Sequence, residues 1–170
     1  MSEALIQIVD ENDQPVGQAS IDEAQTQGLI HRISSVMVEN GAGQVLLQFR
    51  NANKETFPSC WDNSAAGHVD VGESYEIAAK REMAEEIGVQ NVEVEEIGYY
   101  HTNSTFGERR LNRFEKAYRT VVDPNTTFRL QADEVSKVAW FDIEELKVQV
   151  VEHPEKFASG LIETVQRFYK

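Results

Sequence analysis

The segment from residue 67 to residue 89, GHVDVGESYEIAAKREMAEEIGV, carries the strongest local signals in this chain. Ser74 is a favourable N-cap residue, and Gly88 suits the left-handed backbone position that follows many helices. Together they predict a helix from about Tyr75 to Ile87. The helical wheel places four apolar residues on one side, which we expect to face the core: Ile77, Met83, Ala84 and Ile87.

The same helix concentrates negative charge near its C-terminal end. Glu82, Glu85 and Glu86 lie within an arc of about 100° on the wheel. Ala78 and Ala79 lie one turn earlier on that side, where small side chains leave space beside the carboxylates. Like charges at this spacing cost a few tenths of a kcal/mol per pair, and the C-terminal end of a helix is unfavourable for anions.

Two interpretations of this acidic cluster are open on spacing alone. A solvated acidic face is the ordinary interpretation of a glutamate run. A metal site is the alternative, because converging carboxylate oxygens are the ligands that Mg²⁺ and Mn²⁺ prefer.

Composition limits the kind of protein. A length of 170 residues with 41% hydrophobic residues suits one domain with a sizeable core. The formal net charge of −13 argues against broad binding to a nucleic acid polymer or to a membrane, because both require a basic surface. Cys60 is the only cysteine, so no disulfide forms within the chain. The sequence shows neither a secretion leader nor an apolar run of membrane-spanning length, and we expect a cytoplasmic protein.

The rest of the chain predicts more strands than helices. Residues 1–28 predict a hairpin followed by a short helix, and NGAG predicts the turn of a second hairpin. Longer strands are expected in VEVEEIGYYHTNST and RLNRFEKAYRTVV, and a short one in SKVAWF. DIEELKVQVVE predicts a helix, as does the helical spacing of Phe157, Leu161, Val165 and Phe168. Because strands and helices do not alternate, an α/β fold with a mixed sheet is favoured over a doubly wound parallel sheet.

The acidic helix and the loop before it resemble the Nudix box, G-x5-E-x7-R-E-U-x-E-E-x-G-U, in which U is a bulky apolar residue. This resemblance implies a single Nudix domain over residues 1–170, folded as an α/β/α sandwich with a central mixed sheet. It also implies Mg²⁺-dependent cleavage of a diphosphate linked to another group. The match holds at every fixed position: Gly67, Glu73, Arg81, Glu82, Met83, Glu85, Glu86, Gly88 and Val89.

The resemblance also implies roles for residues of the box. Glu82, Glu85 and Glu86 would be ligands of Mg²⁺, for which Mn²⁺ is the expected substitute, and the Gly67 carbonyl would be a further ligand. Glu73 and Arg81 would form a structural ion pair that fixes the loop on the helix. Our first choice for the base that deprotonates the attacking water is Glu85.

Other residues are candidates for the base or for contacts with the substrate. Glu115 and Glu134 are alternative bases outside the box, and both are candidates for substrate binding. Arg50 and Arg113 are candidates for binding the substrate phosphates, because guanidinium groups match phosphate oxygens. Arg119, on the same predicted strand face as Arg113, is a further candidate. We expect a small phosphorylated substrate of the nucleoside-diphosphate type, and a homodimer is a possible assembly.

The chain also resembles the Nudix branch that includes isopentenyl-diphosphate isomerase, from about residue 8 to about residue 145. That enzyme requires a cysteine where this chain has Ala66. Cys60 lies six residues earlier in the sequence, on the other side of WDNS, and is not positioned to substitute for it. His31 and His68 match metal ligands of the isomerase, but Ala24 stands where a companion histidine is expected. We therefore favour structural roles for both, with His31 at the end of a strand and His68 in a loop. A hydrolase is therefore the leading hypothesis, with the isomerase and a non-catalytic nucleotide-binding sensor as alternatives.

Overall fold

A mixed sheet of nine strands forms the centre of this computed structural model, which describes residues 3–170. The first two residues of the predicted N-terminal unit, 1–28, lie outside the described residues. The strands are β1 (Leu5–Val9), β2 (Pro15–Ser20), β3 (His31–Glu39), β4 (Gln44–Arg50), β5 (Trp61–Asp62), β6 (Ala65–His68), β7 (Glu95–Phe106), β8 (Arg109–Val121) and β9 (Val135–Asp142). The helices are α1 (Ile21–Gln27), α2 (Tyr75–Ile87), α3 (Ile143–Glu152) and α4 (Ser159–Phe168), with a 3₁₀ turn at Pro154–Lys156.

Strand β3 organises the sheet. It pairs antiparallel with β1, β4 and β6, and parallel with β8 over its whole length. The β7–β8 hairpin extends the sheet beyond β3, while β9 pairs antiparallel with β4. The β3–β8 pairing makes the sheet mixed, which confirms the fold class predicted from the sequence.

Helices cover both faces of the sheet. On one face, α2 buries Met83 and Ile87 against β3 and β4. On the other, Leu161 and Val165 of α4 pack with α3 and with Leu47 of β4. These two cores make the predicted α/β/α sandwich. Within residues 3–170, no helix is long and apolar enough to cross a membrane.

The buried side of α2 differs from the one that the helical wheel predicts. Ile77 is 57% exposed, whereas Ala78 and Ala79, which the wheel places beside the carboxylates, are fully buried. Tyr75 and Met83 are also buried, so the helix turns its small residues toward the sheet. The reason is close approach, because alanines let the helix backbone lie near the strands.

The last helix also begins later than its apolar spacing suggests. Phe157 is buried but lies before α4, at the end of the 3₁₀ turn. Gly160 lies in the first turn of α4 and does not interrupt the helix.

Candidate active site

The loop between β6 and α2 is fixed to the helix by one ion pair. Arg81 donates from Nε to Glu73 Oε1 over 2.7 Å and from Nη2 to Glu73 Oε2 over 2.9 Å. Its Nη2 also donates to the carbonyl of His68 at 3.0 Å. The Arg81 guanidinium lowers the pKa of Glu73 by hydrogen bonding. The predicted contact between Glu73 and Arg81 is therefore present.

The three clustered glutamates have different environments. Glu86 is 5% exposed and accepts hydrogen bonds from Gln48 Nε2 at 2.5 Å and from the Ala66 N–H at 3.3 Å. Glu82 is largely buried and accepts from Arg81 Nη1 at 2.7 Å. The side chain of Glu85 is 53% exposed. Burial, together with the neighbouring charge of Glu82, raises the pKa of Glu86 well above its ordinary value.

Gly67 shows how closely β6 approaches α2. A Cβ atom at this position would lie 2.1 Å from Glu82 Oε1, so a side chain cannot fit here without displacing the carboxylate. Burial also raises the pKa of Glu82. The carboxylate of Glu82 therefore lies against the Gly67 backbone, and the buried Glu86 lies beside the preceding residue, Ala66. The guanidinium of Arg81 is the positive charge bonded to Glu82.

This set of donors fits a hard divalent cation. Carboxylate and carbonyl oxygens are the ligands that Mg²⁺ prefers, and the excess buried negative charge favours a cation. Among the described residues, no group of three or more His, Cys, Asp or Glu side chains has the geometry to hold a metal ion. The assignment of Glu82, Glu85, Glu86 and the Gly67 carbonyl as ligands stays a prediction.

A cleft of about 960 Å³ lies beside the carboxylates. Its lining includes every residue that the sequence placed in the site except Glu73 and Arg119. Arg119 is not among the lining residues, because it lies farther along β8, where its Nε donates to Glu95 at 2.9 Å. The lining residues shared with the sequence prediction are Gly67, Arg81, Glu82, Glu85, Glu86, Arg50, Arg113, Glu115 and Glu134.

The candidate substrate-binding residues differ in whether their charges are already paired. Arg50 forms an ion pair with Asp62 at 3.0 Å, and Glu134 forms one with Lys54. Arg113 forms no ion pair within the described part of the chain, and its Nε is buried without a hydrogen-bond partner. Among the arginines that line the cleft, Arg113 is therefore the one most available to a ligand.

Glu115 is buried beneath this cleft. It is 1% exposed, and its Oε1 accepts from Ser35 Oγ at 2.7 Å. Burial raises its pKa.

His68, which lines the cleft, stacks on His31 in the interior. His31 begins β3, as expected, whereas His68 ends β6 and does not lie in a loop. Their ring centroids are 5.3 Å apart. Burial lowers the pKa of His31 to about 4 and that of His68 well below its ordinary value, so both rings are neutral near pH 7.

Cys60 lies outside the cleft. Its Sγ lies 3.7 Å from the carbonyl oxygen of Glu155. The position that matches the isomerase cysteine, Ala66, lines the cleft beside Glu86.

Sequence reasoning missed several polar residues of the site. Gln48 contacts Glu86, Lys54 pairs with Glu134, and Asn63 lines the cleft with an Oδ1 atom that lacks a partner. Gln48 interrupts the apolar strand QVLLQFR, and a polar residue inside an otherwise apolar strand was the available signal. Lys54 and Asn63 lie in irregular segments that carry no periodic signal.

Comparison with known proteins agrees with this architecture. The sequence profile of the NUDIX domain matches residues 29–168. An uncharacterized Nudix hydrolase from Pseudomonas aeruginosa is 35% identical over 133 residues, which cover 78% of this chain and 75% of that protein. An isopentenyl-diphosphate Delta-isomerase from Nocardia farcinica is 32% identical over 164 residues, covering 95% and 92%. This second relative agrees with the predicted isomerase-like branch.

Solved structures show the same fold. The crystal structure of DR0079 from Deinococcus radiodurans superimposes with a TM-score of 0.81 at 25% identity, over 98% of this chain and 99% of that one. The NUDIX domain of Shewanella oneidensis NrtR, solved with ADP ribose, gives a TM-score of 0.62 at 19% identity, over 80% and 84%. The chain therefore belongs to the Nudix family, as a hydrolase that acts on phosphoric anhydrides.

Proposed function

We propose that this protein is a Mg²⁺-dependent diphosphohydrolase that cleaves a diphosphate linkage in a small substrate of the nucleoside-diphosphate type. The observation that carries the proposal is the contact between Gly67 and Glu82 beside the buried Glu86. Carboxylates buried this close together require positive charge, and a diphosphate substrate brings more negative charge. A divalent cation held by Glu82, Glu85, Glu86 and the Gly67 carbonyl balances both.

The residues of the box have different roles in this mechanism. When bound, the cation neutralises the phosphate oxygens and lowers the pKa of the attacking water. Glu85, the exposed member of the cluster, takes a proton from that water. Arg81 holds the loop through Glu73 and orients Glu82.

The substrate lies in the adjacent cleft. Arg113, which has no ion-pair partner among residues 3–170, donates to the substrate. The remaining contacts with the substrate come from three other residues that line the same cleft, Arg50, Glu115 and Glu134. Glu115 and Glu134 stay alternatives to Glu85 as the base, although Glu134 is paired with Lys54 and Glu115 is buried.

Isopentenyl-diphosphate isomerisation is the second candidate, because one relative at 32% identity carries that name. The isomerase requires a cysteine at the position of Ala66, and alanine has no group that transfers a proton to carbon. Cys60 cannot take over this role, because it lies outside the cleft. A non-catalytic sensor is the weaker third candidate, since all of the box glutamates are retained.

A substrate panel tests the proposal. Nucleoside triphosphates and diphosphates, nucleotide sugars, dinucleotides, coenzyme A and isopentenyl diphosphate are incubated with the protein and Mg²⁺, and the released fragments are identified by mass spectrometry. We expect hydrolysis of at least one diphosphate, its loss in EDTA, and its return with Mg²⁺ or Mn²⁺. Full activity in metal-free buffer contradicts the mechanism, and a double-bond shift without hydrolysis identifies an isomerase.

A further inference from the structure

Buried polar atoms without partners are concentrated beside one end of the cleft. Buried side chains in folded proteins nearly always find a hydrogen-bond partner, so each exception calls for an explanation. In the part of the chain that the structure describes, five buried side-chain atoms lack one: His31 Nε2, Asn63 Oδ1, His68 Nε2, Tyr100 Oη and Arg113 Nε.

The sheet register brings these side chains together. Tyr100 on β7 lies opposite Glu115 on β8, and Arg113, two residues before Glu115, lies opposite His31 on β3. Ile33 on β3 lies opposite both Glu115 and His68. We call the region bounded by Asn63, His68, Tyr100, Arg113 and Glu115 the deep chamber.

Helix α4 borders the deep chamber without filling it. A Cβ atom on Gly160 would lie 3.6 Å from Glu115 Oε2 and 3.8 Å from both Arg113 Nη2 and Asn63 Nδ2. Gly160, Asn63, His68, Arg113 and Glu115 all line the same cleft as Glu82 and Glu86. A group attached to a diphosphate on the box glutamates therefore has direct access to the chamber.

The unpartnered atoms include both donors and acceptors. Arg113 only donates, whereas Asn63 Oδ1 only accepts. His31 Nδ1 lies 2.8 Å from the carbonyl oxygen of Leu29, so Nδ1 carries the proton and Nε2 of the neutral ring is an acceptor. A ligand that satisfies this set must itself both donate and accept hydrogen bonds.

Charge argues against a second phosphate at this position. Arg113 interacts electrostatically with the buried Glu115, although the two form no ion pair, and the charge of Arg50 is already paired with Asp62. A phosphate or carboxylate offers acceptors alone and leaves Asn63 Oδ1 without a donor. A hydroxyl group donates and accepts, carries no charge, and matches the chamber.

We propose that the deep chamber binds the hydroxyl groups of a sugar attached to the cleaved diphosphate, and that Arg113 and Asn63 select hydroxylated substrates. The inference rests on the proposed function, since the diphosphate on the box glutamates is what brings the sugar into the cleft. Arg113 donates to a hydroxyl oxygen, and Asn63 Oδ1 accepts a hydroxyl proton.

Binding of non-hydrolysable analogues tests the chamber independently of turnover. Isothermal titration calorimetry in Mg²⁺ compares α,β-methylene nucleoside diphosphates of the four common bases with their 2′,3′-dideoxy counterparts. We expect the ribose form of at least one to bind about 10-fold more tightly, as loss of hydrogen bonds to buried partners predicts. Arg113→Met and Asn63→Ala should each reduce this preference to about twofold. Arg119→Met, on the same face of β8 but outside the cleft, is the matched control and should retain the preference.

The outcomes separate this inference from the proposed function. Equal affinity of wild-type protein for the ribose and dideoxy forms, or no binding of any ribose form, overturns the chamber assignment whether or not the variants fold. A preference that survives in folded Arg113→Met and Asn63→Ala also overturns it, and leaves water as the occupant. If the preference is present and lost in both variants while no substrate is hydrolysed, the chamber assignment stands and the proposed hydrolysis fails.

Discussion

Three glutamates of the same helix have three different electrostatic environments. Glu86 is buried against Gln48, Glu82 is bonded to Arg81, and Glu85 alone is half exposed. A base must reach both a water molecule and a path for its proton, and the exposure of Glu85 is the reason that we propose it as the base. At the scale of single residues, neighbouring groups therefore give identical side chains different burial, hydrogen bonding and charge.

Glu85→Gln should lower the hydrolysis rate by about 10²- to 10⁴-fold, because the amide keeps the shape of the side chain but is no base. The rate is measured on the best substrate of the panel, with folding checked by circular dichroism. Cys60→Ser is the paired variant, and its rate should stay close to wild type, because the thiol lies outside the cleft. The opposite pattern, with turnover lost only in folded Cys60→Ser, would reject the hydrolytic mechanism.

Arg81→Ala should lower both the melting temperature and the rate. The guanidinium makes two bonds to Glu73, one to the His68 carbonyl, one to Glu82 and a longer one of 3.5 Å to Glu85. Its loss therefore frees the loop and leaves the largely buried carboxylate of Glu82 without its partner. Loss of such a partly buried charged network costs about 1–3 kcal/mol. Thermal unfolding and steady-state kinetics measure the two effects.

Lys80→Ala is the control for this change. Lys80 is the neighbouring residue, and its ion pairs with Glu76 and Glu93 are exposed, so both stability and rate should stay near wild type. A large rate loss in Arg81→Ala with an unchanged melting temperature would place Arg81 in direct contact with the reacting groups.

At the scale of elements, the site depends on how closely β6 and α2 approach each other. The capping residues Ser74 and Gly88 fix the ends of the helix, and the Glu73–Arg81 pair fixes its entry loop. Ala78 and Ala79 on the helix, and Gly67 on the strand, permit the close approach. Two elements with larger side chains at these positions would hold the carboxylates farther from the strand.

Gly67→Ala should destabilise the fold by about 1–3 kcal/mol and lower the rate, because the added methyl group collides with the Glu82 carboxylate. Urea unfolding and the Mg²⁺ concentration needed for half-maximal rate measure the two effects. Gly17→Ala on β2 is the matched control, since a Cβ atom there meets nothing within 4 Å. Equal behaviour of the two variants would show that the contact has no importance for the site.

At the scale of the whole molecule, the sheet separates two apolar cores and carries a polar row between them. His31, Ser35 and Glu115 are fully or almost fully buried in the centre of the sheet, where a charge is costly. Burial therefore keeps His31 and His68 neutral, and the stability of the protein becomes linked to pH through these two residues.

Acidification should destabilise the protein through His31. Its pKa of about 4 in the folded state lies below the ordinary 6.5, so the unfolded chain binds more protons between these values. The contribution of His31 to the free energy of unfolding is complete well above pH 6.5. At pH 5 about 2 kcal/mol of this contribution is lost.

Urea unfolding at pH 7.5 and pH 5 measures this loss. His31→Gln, which does not titrate, should lose less stability between the two pH values than wild type does. His68 retains its own contribution in the variant. An equal loss in both proteins would contradict the assignment to His31.

Local signals predicted much of the fold. Caps lie within one turn of the helix they end, and so the bounds of α2, at Tyr75 and Ile87, follow from Ser74 and Gly88. The resemblance to the Nudix box implied the Glu73–Arg81 contact, and strand patterns predicted the two long strands that the structure shows as β7 and β8. The family follows from the same local segment.

Long-range packing decided the rest. The helical wheel misjudged Ile77 and Ala78, because a wheel cannot show which side of a helix the sheet approaches. Arg113 and Arg119 lie on one strand face and looked equivalent in sequence, but only Arg113 lines the cleft, whereas Arg119 pairs with Glu95 across the hairpin. The register of the strands brings together residues that are far apart in the chain and so decides which charges pair. The reason is that Coulombic and hydrogen-bonding energies depend on distance in space and not on separation in sequence.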